Sequence, residues 1–175
     1  MNRTSITAIT IAVAFAIAIP ALAQDMPKRK SGLWEITMDS DNARKAGGKE
    51  RQMTQCVDQT KDDVFRQMGQ QAERENKCSR TNVQRSANKL SFESTCDFGS
   101  MKTASTSVIT GDFNTAYRME IHSRYTPPMA GVSEGTTVID AKWTGPCKAG
   151  QRPGDITVAG GRTMNIYDMM DAKKK

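Results

Sequence analysis

Ala116-Tyr117-Arg118-Met119-Glu120-Ile121-His122-Ser123-Arg124-Tyr125-Thr126 alternates without a break. Tyr117, Met119, Ile121, Ser123 and Tyr125 fall on one side, and Arg118, Glu120, His122 and Arg124 on the other. A period of two with one apolar and one charged side defines a half-buried β-strand. The same period recurs in both directions along the chain. Residues 32–40 set Trp34, Ile36 and Met38 against Glu35, Thr37 and Asp39, and residues 50–57 carry Met53, Gln55 and Val57 on one side. Residues 78–85 and 89–96 flank the short turn Ser86-Ala87-Asn88 and form a hairpin, with Leu90, Phe92, Ser94 and Cys96 on one face. Residues 101–110 follow, up to the turn Thr110-Gly111-Asp112. Residues 136–144 put Thr137, Ile139, Ala141 and Trp143 on one face. Pro127-Pro128 are expected to stop the strand of residues 116–126 and open a loop to Glu134-Gly135, because proline donates nothing to a ladder.

Strands joined by short turns predict a mainly β fold: an antiparallel meander, curved and half-barrel-like, with one apolar face. Residues 60–76 are its expected cover, a single helix. Thr60 would cap it, Asp62 and Asp63 would lie in its first turn, and Val64, Phe65, Met68 and Ala72 would form one apolar stripe. Residues 41–49 read as a polar turn around Gly47-Gly48. From about residue 148, Gly150, Pro153, Gly154, Gly160 and Gly161 mark a loop-rich tail, with a short helix expected at 164–170.

Residues 1–23 have the form of an export signal. Arg3 supplies the positive start and residues 6–19 the apolar stretch. Pro20 ends that stretch, and Ala21-Leu22-Ala23 offers small residues for cleavage before Gln24. The apolar stretch is too short for a membrane-spanning helix. Removing 23 of 175 residues leaves 152, the size of one domain, here residues 24–175. The expected location is the periplasm, as a monomer with no integral membrane segment after cleavage and no lipid-anchoring cysteine at the cleavage point.

That address changes how the cysteines read. Only 37% of residues are hydrophobic and 6% aromatic, so the core needs reinforcement. Cys56, Cys78, Cys96 and Cys147 are spaced by 22, 18 and 51, with no CxxC redox or zinc motif. In an oxidising compartment they form two disulfides, each worth on the order of 3–4 kcal/mol by loop closure. Four cysteines allow three connectivities. Cys56–Cys78 clasping the helix with Cys96–Cys147 tying down the tail is the favoured pairing. The rival is Cys78–Cys96 across the hairpin, which leaves Cys56–Cys147.

Charge and residue types exclude several activities. Without Arg3 the balance is 24 basic against 19 acidic residues, a net +5. Much of the excess lies in Lys28-Arg29-Lys30 and Lys173-Lys174-Lys175. Such end clusters are expected to be solvated tails, and their functional reading is attraction to an anionic surface. Nucleic acid is not an expected partner, since no basic stripe is interleaved with aromatics and export removes the chain from it. A hydrolase of the serine–histidine type needs a histidine base, and the single histidine, His122, alternates onto a charged, solvated face. Glu73 and Glu75, Asp62 and Asp63, and Glu35 lack the apolar setting that would raise a carboxyl pKa for acid catalysis. Gly47-Gly48 and Gly160-Gly161 lack phosphate-loop spacing. The ten methionines outside the signal read as core filling rather than a copper site. No catalytic residue, metal or cofactor is expected. A curved sheet carrying Trp34, Phe92, Tyr117, Tyr125 and Trp143 on one side could instead enclose a small apolar ligand, or these five could simply be the core.

Gly32-Leu33-Trp34-Glu35 opening the first strand, Gln55-Cys56 closing the second, then Cys78, Cys96 and Cys147 resemble the proteobacterial exported domain-of-unknown-function family numbered 3617. The resemblance implies a small envelope protein with an antiparallel β domain and paired cysteines. It brings no activity and no catalytic residues. Many of its members carry a Met/Pro-rich segment after the first strand, whereas residues 41–50 here are charged and Gly-rich. The expected function is a soluble, non-enzymatic periplasmic binding or interaction module for a small apolar ligand or an envelope component. The alternative is a structural or stress-protective envelope protein with weak general contacts.

Overall fold

The computed structural model describes residues 27–62, 70, 72, 73, 75 and 77–172. The proposed signal peptide, and Asp63, Val64, Phe65 and Met68 of the expected helix, lie outside the described residues. Among the described residues nine antiparallel strands form one sheet: β1 (Gly32–Ser40), β2 (Arg51–Val57), β3 (Cys78–Ser86), β4 (Lys89–Asp97), β5 (Lys102–Gly111), β6 (Ala116–Met129), β7 (Val132–Gly145), β8 (Asp155–Val158) and β9 (Thr163–Asn165). The order across the sheet is β3-β4-β5-β6-β7-β1-β2-β8-β9. Strands β3 to β7 are the expected meander. The β1–β2 hairpin then pairs with the far edge of β7, so the first strand lies inside the sheet, beside the central β7. Two short helices, α1 (Asp41–Lys45) and α2 (Ile166–Ala172), accompany the sheet, and residues 70, 72 and 73 are also helical.

Alternation holds along the ladder apart from register shifts at Leu33/Trp34, Thr81/Gln84 and Arg124/Met129. Ile109, Met119, Ile139 and Met38 stand in one cross-strand row, and Tyr117, Ala141, Ile36 and Met53 in the next. These rows belong to the apolar face. It holds one cluster of Trp34, Ile36, Val57 and Ala141 and another of Leu90, Ile109 and Phe113, and Tyr117 packs against both. Phe113 stacks on Tyr117 at 5.2 Å between ring centroids, and the Trp34 ring lies 5.6 Å from that of Tyr117, tilted by 46°.

Three local expectations are corrected. Strand β6 runs through Pro127-Pro128 to Met129 rather than stopping at Thr126. The reason is position. The last β5–β6 pair is Lys102↔Thr126, and the β6–β7 register shifts between Arg124 and Met129, so neither proline has to donate to a ladder. Residues 41–45 are a turn of helix rather than an open loop. In the tail, β8 and β9 add to β2 where loop alone was expected, and α2 starts at Ile166. Asn165 begins it, its side-chain oxygen accepting from the backbone N–H of Tyr167 and Asp168 at 3.0 and 3.3 Å.

The cysteine pairing is also corrected. The disulfides are Cys56–Cys147 and Cys78–Cys96, not Cys56–Cys78 with Cys96–Cys147. The β3–β4 register decides it: Cys78 and Cys96 are direct cross-strand partners, with Cα atoms 4.0 Å apart. Cys56 then meets Cys147, just beyond the end of β7. Both bonds belong to a protein that folds in an oxidising environment. Among the described residues no helix is long and apolar enough to cross a membrane.

The β5–β6 turn is held by one carboxylate. Asp112 accepts from the backbone N–H of Asn114 and Thr115 at 2.9 and 2.7 Å and from the Thr115 hydroxyl at 2.7 Å. These bonds, those to Thr115 first, hold its pKa far below the usual carboxylate range. A depressed folded-state pKa gives stability that is present above the unfolded value, ~4, and lost as pH falls through the folded one. Asp112→Ala should therefore be destabilised relative to the parent at neutral pH, and the gap should narrow below about pH 4. Urea titrations at pH 7 and pH 3 check this; a gap that does not change with pH would remove the carboxylate's role.

Candidate binding groove on the open face

Of the five aromatics expected to face a ligand, four belong to or pack on the two apolar clusters. Trp34 is fully buried. Tyr117 and Trp143 pack on the cluster around it, Phe92 packs on the second cluster, and Tyr125 stands apart from both near the end of β6. The N-terminal lead-in, which the charge pattern had assigned to solvent, lies against Trp34 and Trp143. Trp34 Nε1 donates to the Lys30 carbonyl at 2.9 Å, and Trp143 Nε1 to that of Ser31 at 3.0 Å. Lys30 Nζ sits 3.8 Å from the centre of the Trp143 ring. Gly32 has φ +134°, and a Cβ there would come within 2.4 Å of Trp143 Nε1. Only glycine lets the lead-in turn so close to that indole.

Arg29 anchors this lead-in and is buried, so the solvated-tail expectation fails there. Its side chain ion-pairs Asp62 at 2.7 Å, its backbone N–H donates to the same carboxylate at 2.7 Å, and Nη1 donates to Gln55 at 2.9 Å. Burial alone would lower the Arg29 pKa; the hydrogen bond to Asp62 and nearby negative charge outweigh it and leave the pKa raised. Burial likewise pushes the Tyr117 phenol up, against the opposing pull of Arg29. Asp62, expected in a helical first turn, instead neutralises this guanidinium. In the turn before it, Asp58 accepts from the Thr60 N–H at 2.9 Å.

The opposite face of the sheet is open and polar. A half-open groove of about 630 Å³ lies between α1 and strands β3 to β7. The ladder explains its floor. Glu93, Thr106, His122 and Thr136 are successive cross-strand partners and line it as one row. Thr95, Ala104, Arg124 and Glu134 make the neighbouring row. Asp41 and Lys45 of α1 complete the wall. Helix α1 is seated by the Thr136 backbone N–H, which donates to Asp41 at 2.9 Å. It is also seated by the bare Cα of Gly135, where a Cβ would fall 1.9 Å from Asn42 Nδ2.

Inside the groove the polar groups partner one another. His122 Nδ1 lies 2.9 Å from Thr136 Oγ1 and Nε2 lies 3.1 Å from Glu120 Oε1. Both contacts are satisfied when Nε2–H donates to Glu120 and the threonine hydroxyl donates to Nδ1. The order hydroxyl, imidazole, carboxylate matches the logic of a nucleophile triad. Its surroundings do not, because His122 and Glu120 are 59% and 44% exposed. The Thr136 N–H that could have faced an oxyanion is committed to Asp41. Glu93 accepts from Asn82 Nδ2 at 2.7 Å, and Arg124 pairs loosely with Glu134 at 3.7 Å. Among the described residues no group of three or more His, Cys, Asp or Glu side chains converges as metal ligands would. The histidine's charged, solvated face was legible from alternation. The groove was not, because it needs the register of five strands and the seat of α1.

The molecule is thus a disulfide-stapled single-sheet β protein with one packed face and one polar, grooved face. The chain belongs to the family described as Protein of unknown function (DUF3617), which matches residues 29–147. The matched span opens at the buried Arg29 and closes at Cys147. No curated protein and no solved structure matches the chain significantly.

Proposed function

We propose that this protein is a non-enzymatic periplasmic binding module, exported by cleavage before Gln24, that engages a polar envelope component through the groove on its open face. The observation that carries this reading is the contrast between the two faces. On the aromatic side, Trp34, Tyr117, Trp143 and Phe92 pack on the core clusters and the lead-in bonds to both indoles, which favours a structural role for them. The groove offers Thr95, Thr106, Thr136, His122 and Arg124 to hydroxyl, amide or anionic groups. Solvent access to His122 and Glu120, and the occupied Thr136 amide, support binding over turnover.

Native mass spectrometry of protein purified from the periplasm tests the proposal. The parent should retain a polar small molecule or oligomer fragment. Thr106→Trp, which fills the groove floor without touching the packed face, should reduce retention at least tenfold. A bare monomer in repeated preparations, or equal retention by the variant, would count against the groove.

A further inference from the structure

The end of the sheet opposite the Arg29 lead-in carries two exposed apolar turns side by side. Strand β4 pairs with β5 through Asp97↔Lys102, so the turn at residues 98–101 leaves the sheet there. Lys102 in turn pairs with Thr126, so the β6–β7 tip emerges at the same end, two strand spacings or about 10 Å from the first turn. Phe98 in the first turn is 52% exposed, and Met129, which ends β6 at the second, is 46% exposed. Pro127, Pro128 and Ala130 beside Met129 are exposed too.

The flanking charges have a pattern. Lys102 pairs with Asp97 at 3.1 Å, and Arg124 with Glu134 at 3.7 Å, so the tips themselves are electrically balanced. The β1–β2 connection starts at the same end, where α1 sits against Thr136 of β7. It carries Lys45 and Lys49, both exposed and without an ion-pair partner among the described residues. Turns of four and two residues are far smaller than the ~800 Å² per partner of a stable protein interface. They do suit shallow insertion of a few apolar side chains beneath lipid headgroups, with lysines at the rim. The formal net charge, +6 for the whole sequence and +5 without Arg3, favours an anionic surface in the same sense.

We propose that this end of the sheet docks on an anionic lipid bilayer, with Phe98 and Met129 inserted and Lys45 and Lys49 against the headgroups. The test is co-sedimentation of the full protein with vesicles of phosphatidylglycerol and phosphatidylethanolamine, beside vesicles of phosphatidylcholine alone. The anionic vesicles should bind it, and raised salt should weaken binding. The double variants Phe98→Ser/Met129→Ser and Lys45→Glu/Lys49→Glu should each lose at least tenfold in partition. All four positions are exposed, so unchanged urea unfolding verifies the fold. Absence of binding to anionic vesicles at low salt would overturn the proposal. So would binding that Phe98→Ser/Met129→Ser leaves intact, which would mark general charge attraction alone.

Discussion

Arg29→Ala should lower the unfolding free energy by about 3–5 kcal/mol, because it leaves the Asp62 carboxylate buried without its cation. The two side chains are only 6% and 8% exposed, so water screens the pair poorly. The same substitution deprives Gln55 of a donor at 2.9 Å and releases the segment whose carbonyls hold the Trp34 and Trp143 indoles. Urea unfolding gives the magnitude, and tryptophan emission should shift to the red as the lead-in lifts. Arg29→Met/Asp62→Leu removes both charges while keeping volume and should recover most of the loss. Recovery would separate charge burial from the mere presence of the lead-in. A loss of less than about 1 kcal/mol in Arg29→Ala would mean the pair behaves as a surface contact.

The second large effect concerns the two staples, which should be unequal. Cys56–Cys147 closes a loop of 91 residues and Cys78–Cys96 one of 18. Loop-closure entropy gives about 4–5 kcal/mol for the first and about 3 kcal/mol for the second. Cys56→Ser/Cys147→Ser should therefore cost more than Cys78→Ser/Cys96→Ser in urea unfolding. Position argues the same way, since Cys56 is buried beside Val57 whereas the hairpin disulfide lies near the β3 edge of the sheet. Non-reducing peptide mapping checks the connectivity directly. A Cys56–Cys78 peptide, or a reversed order of the two costs, would contradict this account.

Much of the sheet was legible from period-two patterning, because each strand has one buried side and that burial selects its residues. Trp34, Ile36 and Met38 against Glu35, Thr37 and Asp39 needed only the next residue along the chain to be interpreted. The failures share a physical cause. Arg29 looks like any residue of a basic lead-in, and nothing local reveals an acid 33 residues away that makes its burial tolerable. Pro127-Pro128 broke a rule that holds only where a neighbouring strand asks for a donor. Strands β8 and β9 have four and three residues, too few to show a period.

Sequence by itself determined the strand pattern, the apolar and charged sides of each strand, and the presence of four cysteines without a metal motif. These depend on neighbours one or two residues away. Tertiary structure alone decided which cysteines meet, which face holds a groove, and that a basic lead-in becomes the lid of the aromatic core. Those outcomes depend on register and strand order, which join residues far apart in the chain. A shift of one residue in any ladder would send Cys78, Thr106 or His122 to the other side of the sheet.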